Sequence, residues 1–343
     1  MTAADLWKRA LATLQADSSI DEDSSAGSVA MIRLARQTTA PRFDKGRTMR
    51  RFLAASAALL LATLSSPLYA DGPQVGINAD IVYGHKDGLA MTMDAFSPGE
   101  GRNGAALLFM VSGGWVSRWS EPDPASPIVR PFLDAGYTVF LVRHGSSPRY
   151  GIPDAVADVT RAVRYVRHHA DRFGIDPARL GVMGNSAGGH LALVLGTQGD
   201  DGSTDGDAVE QASSRVAAVV AWVPPTDLTI AVWEAPESLP TYRRFPALDL
   251  SIEQARQHSP LHSATADDAP ALMIMGGADE LVPAFHGERM AAAFAREGVA
   301  HELIVLDNAG HGLGGEANWE RVLGATLNWL NRHLVDSVAA PDS

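Results

Sequence analysis

No cysteine occurs among the 343 residues, which excludes disulfides, thiolate metal sites and cysteine nucleophiles and leaves the redox compartment open. Positive charge is scarce: 28 Lys and Arg stand against 40 Asp and Glu, a formal net charge of −12. That balance argues against nucleic acid or an anionic membrane as the main partner and does not choose a substrate. Metal-ligand spacings are missing too, so no metal is expected. What remains is ordinary for a globular chain, 46% hydrophobic and 20% charged, and long enough to bury a sizeable core.

The N-terminal region has little core-forming pattern. Residues 1–48 include the polar, acidic stretch SSIDEDSSAGS, a composition that does not pack, and are read as a non-native or disordered extension. Residues 49–70 follow a different rule: Arg50 and Arg51 precede an apolar run from Phe52 to Leu64, and Ala70 closes the segment. A basic start, an apolar stretch too short to span a bilayer and a small exit residue make a secretory signal beginning near Met49. The alternative is a buried helix or an internal membrane anchor over 52–64. The signal predicts an exported protein, periplasmic or extracellular, whose mature chain has no stable membrane insertion.

Between 75 and 336, apolar runs of strand length at 106–111, 137–142, 179–184, 215–223, 271–276 and 302–306 alternate with helical patterns at 154–174, 187–196, 287–298 and 318–335. Continuous apolar strands separated by helices predict an α/β domain, its mostly parallel central sheet covered by helices on both faces. An antiparallel hairpin is expected before it, over 80–97, turning at HKDGLA. Residues 199–207 read as a polar, flexible insertion. Residues 224–265 carry Pro224, Pro225, Pro236, Pro240, Pro246 and Pro260 with the charged Glu234, Glu237, Arg243 and Arg244. They show no apolar helical stripe and are read as a small lid.

The sharpest motif is Gly184-Asn185-Ser186-Ala187-Gly188. Chance alone gives about 0.1 such G-x-S-x-G matches in a chain this long, but here a strand runs into the motif and a helix runs out of it. That setting is the nucleophile elbow, which exposes a serine on a sharp, strained turn. A serine needs a base to take its proton, and the base needs a carboxylate to fix its tautomer. His311 follows the strand at 302–306 and Asp279 follows the strand at 271–276, both at the carboxyl edge of a parallel sheet and in the chain order Ser, acid, His. Glu280, Asp267, Asp268 and Asp307 are poorer acids by direction or by chain position.

An acyl-transfer site also needs donors for the oxyanion. The amide of Ala187 is one, and the other is expected from the glycine loop Val111-Ser112-Gly113-Gly114-Trp115 after the preceding strand, the alternative being a simple glycine turn. Trp115 and Trp119, which flank that loop, are candidates for the substrate pocket, since aromatic rings there stack on a sugar or an aryl group, and so is His144, which follows a strand end at the same edge of the sheet. The plainer alternative makes the tryptophans core residues and His144 structural. His190 is expected to cap or pack.

From about Tyr83 to His333 the chain resembles the esterase/lipase branch of the α/β-hydrolases, and within it the group related to bacterial feruloyl esterases and hormone-sensitive-lipase-like enzymes. The resemblance lies in NSAGGHLAL, in SPLHSATADDAPALMIMGGADELVP and in AGHG. It departs at the oxyanion loop, where that group's HGGGW is matched by Val111-Ser112-Gly113-Gly114-Trp115; Gly113 and Gly114, which match its oxyanion positions, are retained, and the resemblance implies that their amides join that of Ala187. The fold implied is the α/β-hydrolase fold. The function implied is hydrolysis of carboxylic esters through an acyl-enzyme on Ser186 and without a cofactor; the Pro-rich, charged lid adds the expectation that short acyl chains, acetyl to butyryl, are favoured. The partner expected is a small-molecule or carbohydrate-linked ester, not nucleic acid. Two alternatives stay open: a serine peptidase of the same fold, and an inactive binding protein of hydrolase shape.

Overall fold

The hairpin expected over 80–97 forms from β1 (Gly76–Lys86) and β2 (Leu89–Ser97). Its two-residue turn is Asp87-Gly88, at φ of 50° and 80°. Asp-Gly suits such a turn because both positions need positive φ, and the resulting twist matches that of the strands it joins. The computed structural model describes residues 75–232 and 240–336. The expectations for 1–48, for the signal at 49–70 and for the part of the lid at 233–239 lie outside the described residues.

The strands β3 (Ala106–Met110), β4 (Thr138–Val142), β5 (Leu180–Asn185), β6 (Ala218–Trp222), β7 (Ala271–Gly276) and β8 (His301–Leu306) are parallel. The eight-stranded sheet has the order β1-β2-β4-β3-β5-β6-β7-β8, with β2 antiparallel to both neighbours. Leu108, Met110, Val182, Val219 and Met273 face one side of it, in the same buried cluster as Val159 and Val163 of α2 (Ile152–His168), Leu191 of α4 (Ala187–Gln198) and Phe294 of α7 (Phe285–Glu297). Their neighbours Leu107, Phe109, Met183, Val220 and Ile274 face the other, with Phe132 of α1 (Arg130–Asp134) and Trp319 and Trp329 of α8 (Glu316–Leu330). With both faces covered, the strands need no polar alternation, which is why they read as unbroken apolar runs.

The short helix α3 (Ala170–Phe173) follows α2 and caps the return to β5. The chain steps outward from β3 to β4 and then returns to lay β5 on the other side of β3. Loops leaving the carboxyl ends of β3 and β5 therefore diverge, and the crevice between them is where open parallel sheets bind ligands.

One expectation is corrected. The insertion at 199–207 is tied down, because Arg161 and Arg164 of α2 ion-pair with Asp200, Asp207 and Glu210. Among its described residues, the lid between β6 and β7 forms 3₁₀ turns (Leu228–Ile230, Pro240–Arg244, Pro246–Leu248) followed by α5 (Ile252–Gln257) and α6 (Pro260–Ser263). It buries apolar side chains without a helical stripe: Tyr242 and Leu248 are buried, and Phe245, extended between two of the turns, is half-buried.

Candidate active site

Ser186 ends the turn from β5 into α4 at φ 54°, ψ −121°, a conformation that L-residues adopt only under strain. The glycines on either side have steric reasons. A Cβ on Gly184 would come within 2.3 Å of the Gly188 carbonyl carbon, and one on Gly188 within 2.4 Å of the Met110 carbonyl oxygen. The Ser186 amide donates to the Trp222 carbonyl at 2.8 Å, pinning the turn to β6. Ala187 opens α4, so its N–H belongs to the first turn, where donors have no partner within the helix and the helix dipole favours negative charge.

His311 Nε2 lies 2.9 Å from Ser186 Oγ, and His311 Nδ1 lies 2.8 Å from Asp279 Oδ2. A carboxylate only accepts, so Nδ1 carries the proton and Nε2 is free to accept from the serine hydroxyl. Asp279 Oδ1 accepts from the Leu281 and Val282 amides, each at 2.9 Å, which compensates for burying its charge. The loops after β7 and β8 meet backbone to backbone: a Cβ on Gly276 would fall 2.5 Å from the Ala309 carbonyl oxygen, and one on Gly277 2.7 Å from that of Asp307. That close approach brings the acid to the base. Glu280 and Asp307 point to solvent.

The loop after β3 is a tight turn in which Gly113 and Val116 exchange backbone hydrogen bonds at 3.0 Å, with Gly114 and Trp115 at φ 56° and 59°. This corrects one oxyanion expectation. The Gly113 amide already donates to the Val116 carbonyl, whereas Gly114 and Ala187 line the pocket beside Ser186. Trp115 also lines that pocket, with its indole N–H donating to Nδ1 of the fully buried His190 at 3.2 Å. His190 Nε2 donates in turn to the His258 carbonyl at 2.7 Å, and burial lowers its pKa to about 4, so the ring is neutral.

Two pocket expectations are corrected outright. Trp119 is 59% exposed, donates to Asp80 Oδ1 at 3.2 Å and is not among the lining residues. His144 is buried behind the loop, 2.9 Å from Ser112 Oγ, and does not reach the pocket either. The sequence missed the residues that do close it: Pro225, Ala231, Tyr242, Phe245 and Leu248 from the lid, and Leu281 and Val282 beside the acid. No apolar period in the lid marks them. Phe245 covers the oxyanion turn so closely that a Cβ on Gly114 would fall 2.7 Å from its ring. Between that ring and Ser186 lies a narrow cleft with mostly apolar walls. Among the described residues, no group of acidic or histidine side chains is placed to hold a metal, and no helix is long and apolar enough to cross a membrane.

The sheet order, the strained serine and the loop positions define the α/β-hydrolase fold, of the esterase/lipase branch. Within it the chain belongs to the BD-FAE family, whose model matches residues 93–294. The chain is 30% identical over 184 residues to the probable carboxylic ester hydrolase LipM of Mycobacterium tuberculosis, covering 52% of this chain and 42% of that protein. It is 29% identical over 223 residues to the ethyl acetate hydrolase of Pseudomonas putida, covering 61% and 65%. The chain spans about half the length of the three mycobacterial relatives it matches. A thermophilic esterase from the Planctomycetes species Thermogutta terrifontis, solved with propionate bound, aligns at a TM-score of 0.61 and 25% identity over 81% of this chain and 99% of that one. The acetyl ester-xyloside bifunctional hydrolase of Caldicellulosiruptor lactoaceticus shares the fold, at a TM-score of 0.64 and 22% identity over 76% and 96%.

Proposed function

We propose that this chain hydrolyses carboxylic esters of short acyl chain through an acyl-enzyme on Ser186. The observation that carries the proposal is the hydrogen-bonded series Ser186–His311–Asp279, set on a strained turn at the sheet's crevice. Ser186 Oγ attacks the ester carbonyl carbon while its proton passes to His311 Nε2. Asp279 holds the ring in the tautomer that accepts this proton and stabilises the cation that forms. The Gly114 and Ala187 amides receive the oxyanion. The bond to the alcohol oxygen then breaks, and the proton moves from His311 to that oxygen. Water repeats the sequence on the acyl-enzyme, releasing the acid and restoring the serine hydroxyl.

Three things support this choice of substrate. The relatives carry the names carboxylic ester hydrolase and ethyl acetate hydrolase. The thermophilic esterase was solved with a three-carbon acid bound. The pocket is narrow, and its walls are Phe245, Leu248, Leu281 and Val282. A pocket gains about 0.8 kcal/mol for each methylene it buries, so a chain that this space cannot enclose gains nothing from its length. The alcohol side accommodates a small-molecule or carbohydrate-linked leaving group.

The test pairs p-nitrophenyl acetate or butyrate turnover with a fluorophosphonate probe. Ser186→Ala should lower kcat by at least about three orders of magnitude, because nucleophile and base act as a unit, and the wild type should be labelled on Ser186 alone. Turnover that survives the substitution, or labelling at another serine, would sink the assignment. An unlabelled wild type would point instead to a binding protein.

A further inference from the structure

The turn that presents the Gly114 amide is gripped by the loop that leaves β4. Ser147 N–H donates to the Trp115 carbonyl at 3.1 Å, while the Ser146 hydroxyl accepts from Ser117 N–H and donates to the Ser117 carbonyl, each at 2.9 Å. These contacts hold the far end of the turn. At the near end, immediately before Gly113, the contact is between two side chains: His144 Nε2 and Ser112 Oγ, 2.9 Å apart.

The tautomer at this contact follows from its other partner. His144 Nδ1 lies 2.8 Å from the Gly145 carbonyl, which only accepts, so Nδ1 carries the proton and Nε2 receives the hydrogen bond from the Ser112 hydroxyl. Burial lowers the imidazole's pKa, which keeps Nε2 an acceptor. The ring is itself held in place. Gly145 N–H donates to Asp158 Oδ2 at 2.8 Å, and Asp158 is ion-paired with Lys86 at 2.7 Å. A rigid acceptor therefore stands against the one residue of the turn whose side chain can donate to it. In the resembled motif this position is glycine, and a histidine stands where this chain has Val111.

We infer that the Ser112–His144 hydrogen bond is the brace that fixes the Gly114 amide in its oxyanion-binding position, making both side chains positioning residues for the acyl-transfer reaction. The inference rests on the ester hydrolysis proposed above. Neither group touches the substrate; each acts through the turn. The effect belongs to the transition state, because the oxyanion must lie 2.7–3.1 Å from its donors, and a misplacement of about 1 Å costs on the order of a hundredfold in rate.

The experiment is a double-mutant cycle on ester hydrolysis. Ser112→Ala and His144→Leu should each lower kcat about tenfold, with KM within about twofold of wild type. The double variant should lose no more than either single one, since one bond is removed in every case. His144→Gln, which can offer a carbonyl oxygen to Ser112, should recover most of the rate. Ser112 is only half-buried, so Ser112→Ala keeps its fold, checked by its melting temperature, and stays decisive even if His144→Leu unfolds. An unchanged kcat in folded Ser112→Ala, or losses that multiply in the double variant, would overturn the brace while leaving the hydrolase function intact. A wild type that turns over no ester would overturn both.

Discussion

Asp279 and Glu280 are neighbours in the chain with opposite surroundings. Asp279 is buried, accepts two backbone amides and meets His311, whereas Glu280 is exposed. Asp279→Asn should therefore lower kcat by about 10⁴ with little loss of stability, because an amide in that place favours the wrong imidazole tautomer. Glu280→Gln should leave the rate within about twofold. Steady-state kinetics on the two purified variants checks this, and a larger loss from Glu280→Gln would mean that the wrong acid is assigned. Residues of this kind were legible in the sequence because their place depends on chain order and on the strand that precedes them. The oxyanion loop was legible only in part. Which of two adjacent glycines offers a free amide depends on the turn's hydrogen bonds, and the Gly113–Val116 exchange leaves no trace in composition. His144 was found as a residue near the site and misplaced within it, since a position after a strand end does not say whether the ring enters the pocket or supports its wall.

At the scale of elements, the parallel sheet was the easiest feature to read, because strands covered on both faces must be apolar throughout. The lid was the hardest. No 3.6-residue apolar period runs through 224–265, because Tyr242 and Leu248 sit on two short 3₁₀ turns and Phe245 is extended between them. These three line the same pocket as Ser186. Phe245→Ala removes a ring that lies over Gly114 and should open that space. The ratio of kcat/KM for p-nitrophenyl octanoate to that for the butyrate should rise about tenfold, as the burial of about two more of its four extra methylenes at about 0.8 kcal/mol each would give. Measuring the ester series for both proteins decides it: an unchanged ratio would move the acyl chain to another wall.

Within the described fold, His190 and His286 are neutral because they are buried. Burial lowers the pKa of His190 and of His286 from 6.5 to about 4 in each case. The unfolded chain binds protons at these rings below about pH 6.5, and the folded chain does so only near 4. Their contribution to stability is therefore complete above pH 6.5 and is lost as the pH falls from there toward 4. Each pKa unit is worth about 1.4 kcal/mol, so the pair weighs heavily against the 5–15 kcal/mol typical of a folded domain. Urea unfolding midpoints should fall steeply between pH 6.5 and 4.5; a flat profile would contradict the burial of these rings as neutral groups. A different opposition is built into the elbow. At Ser186 the backbone sits where glycine is at ease and other residues are not. Exchanging glycine for alanine ordinarily stabilises a chain, but here the order should reverse, with Ser186→Gly more stable than Ser186→Ala by about 1 kcal/mol in urea unfolding. The fold would be more durable with no side chain at that position, so selection for activity and selection for stability pull this one residue in opposite directions.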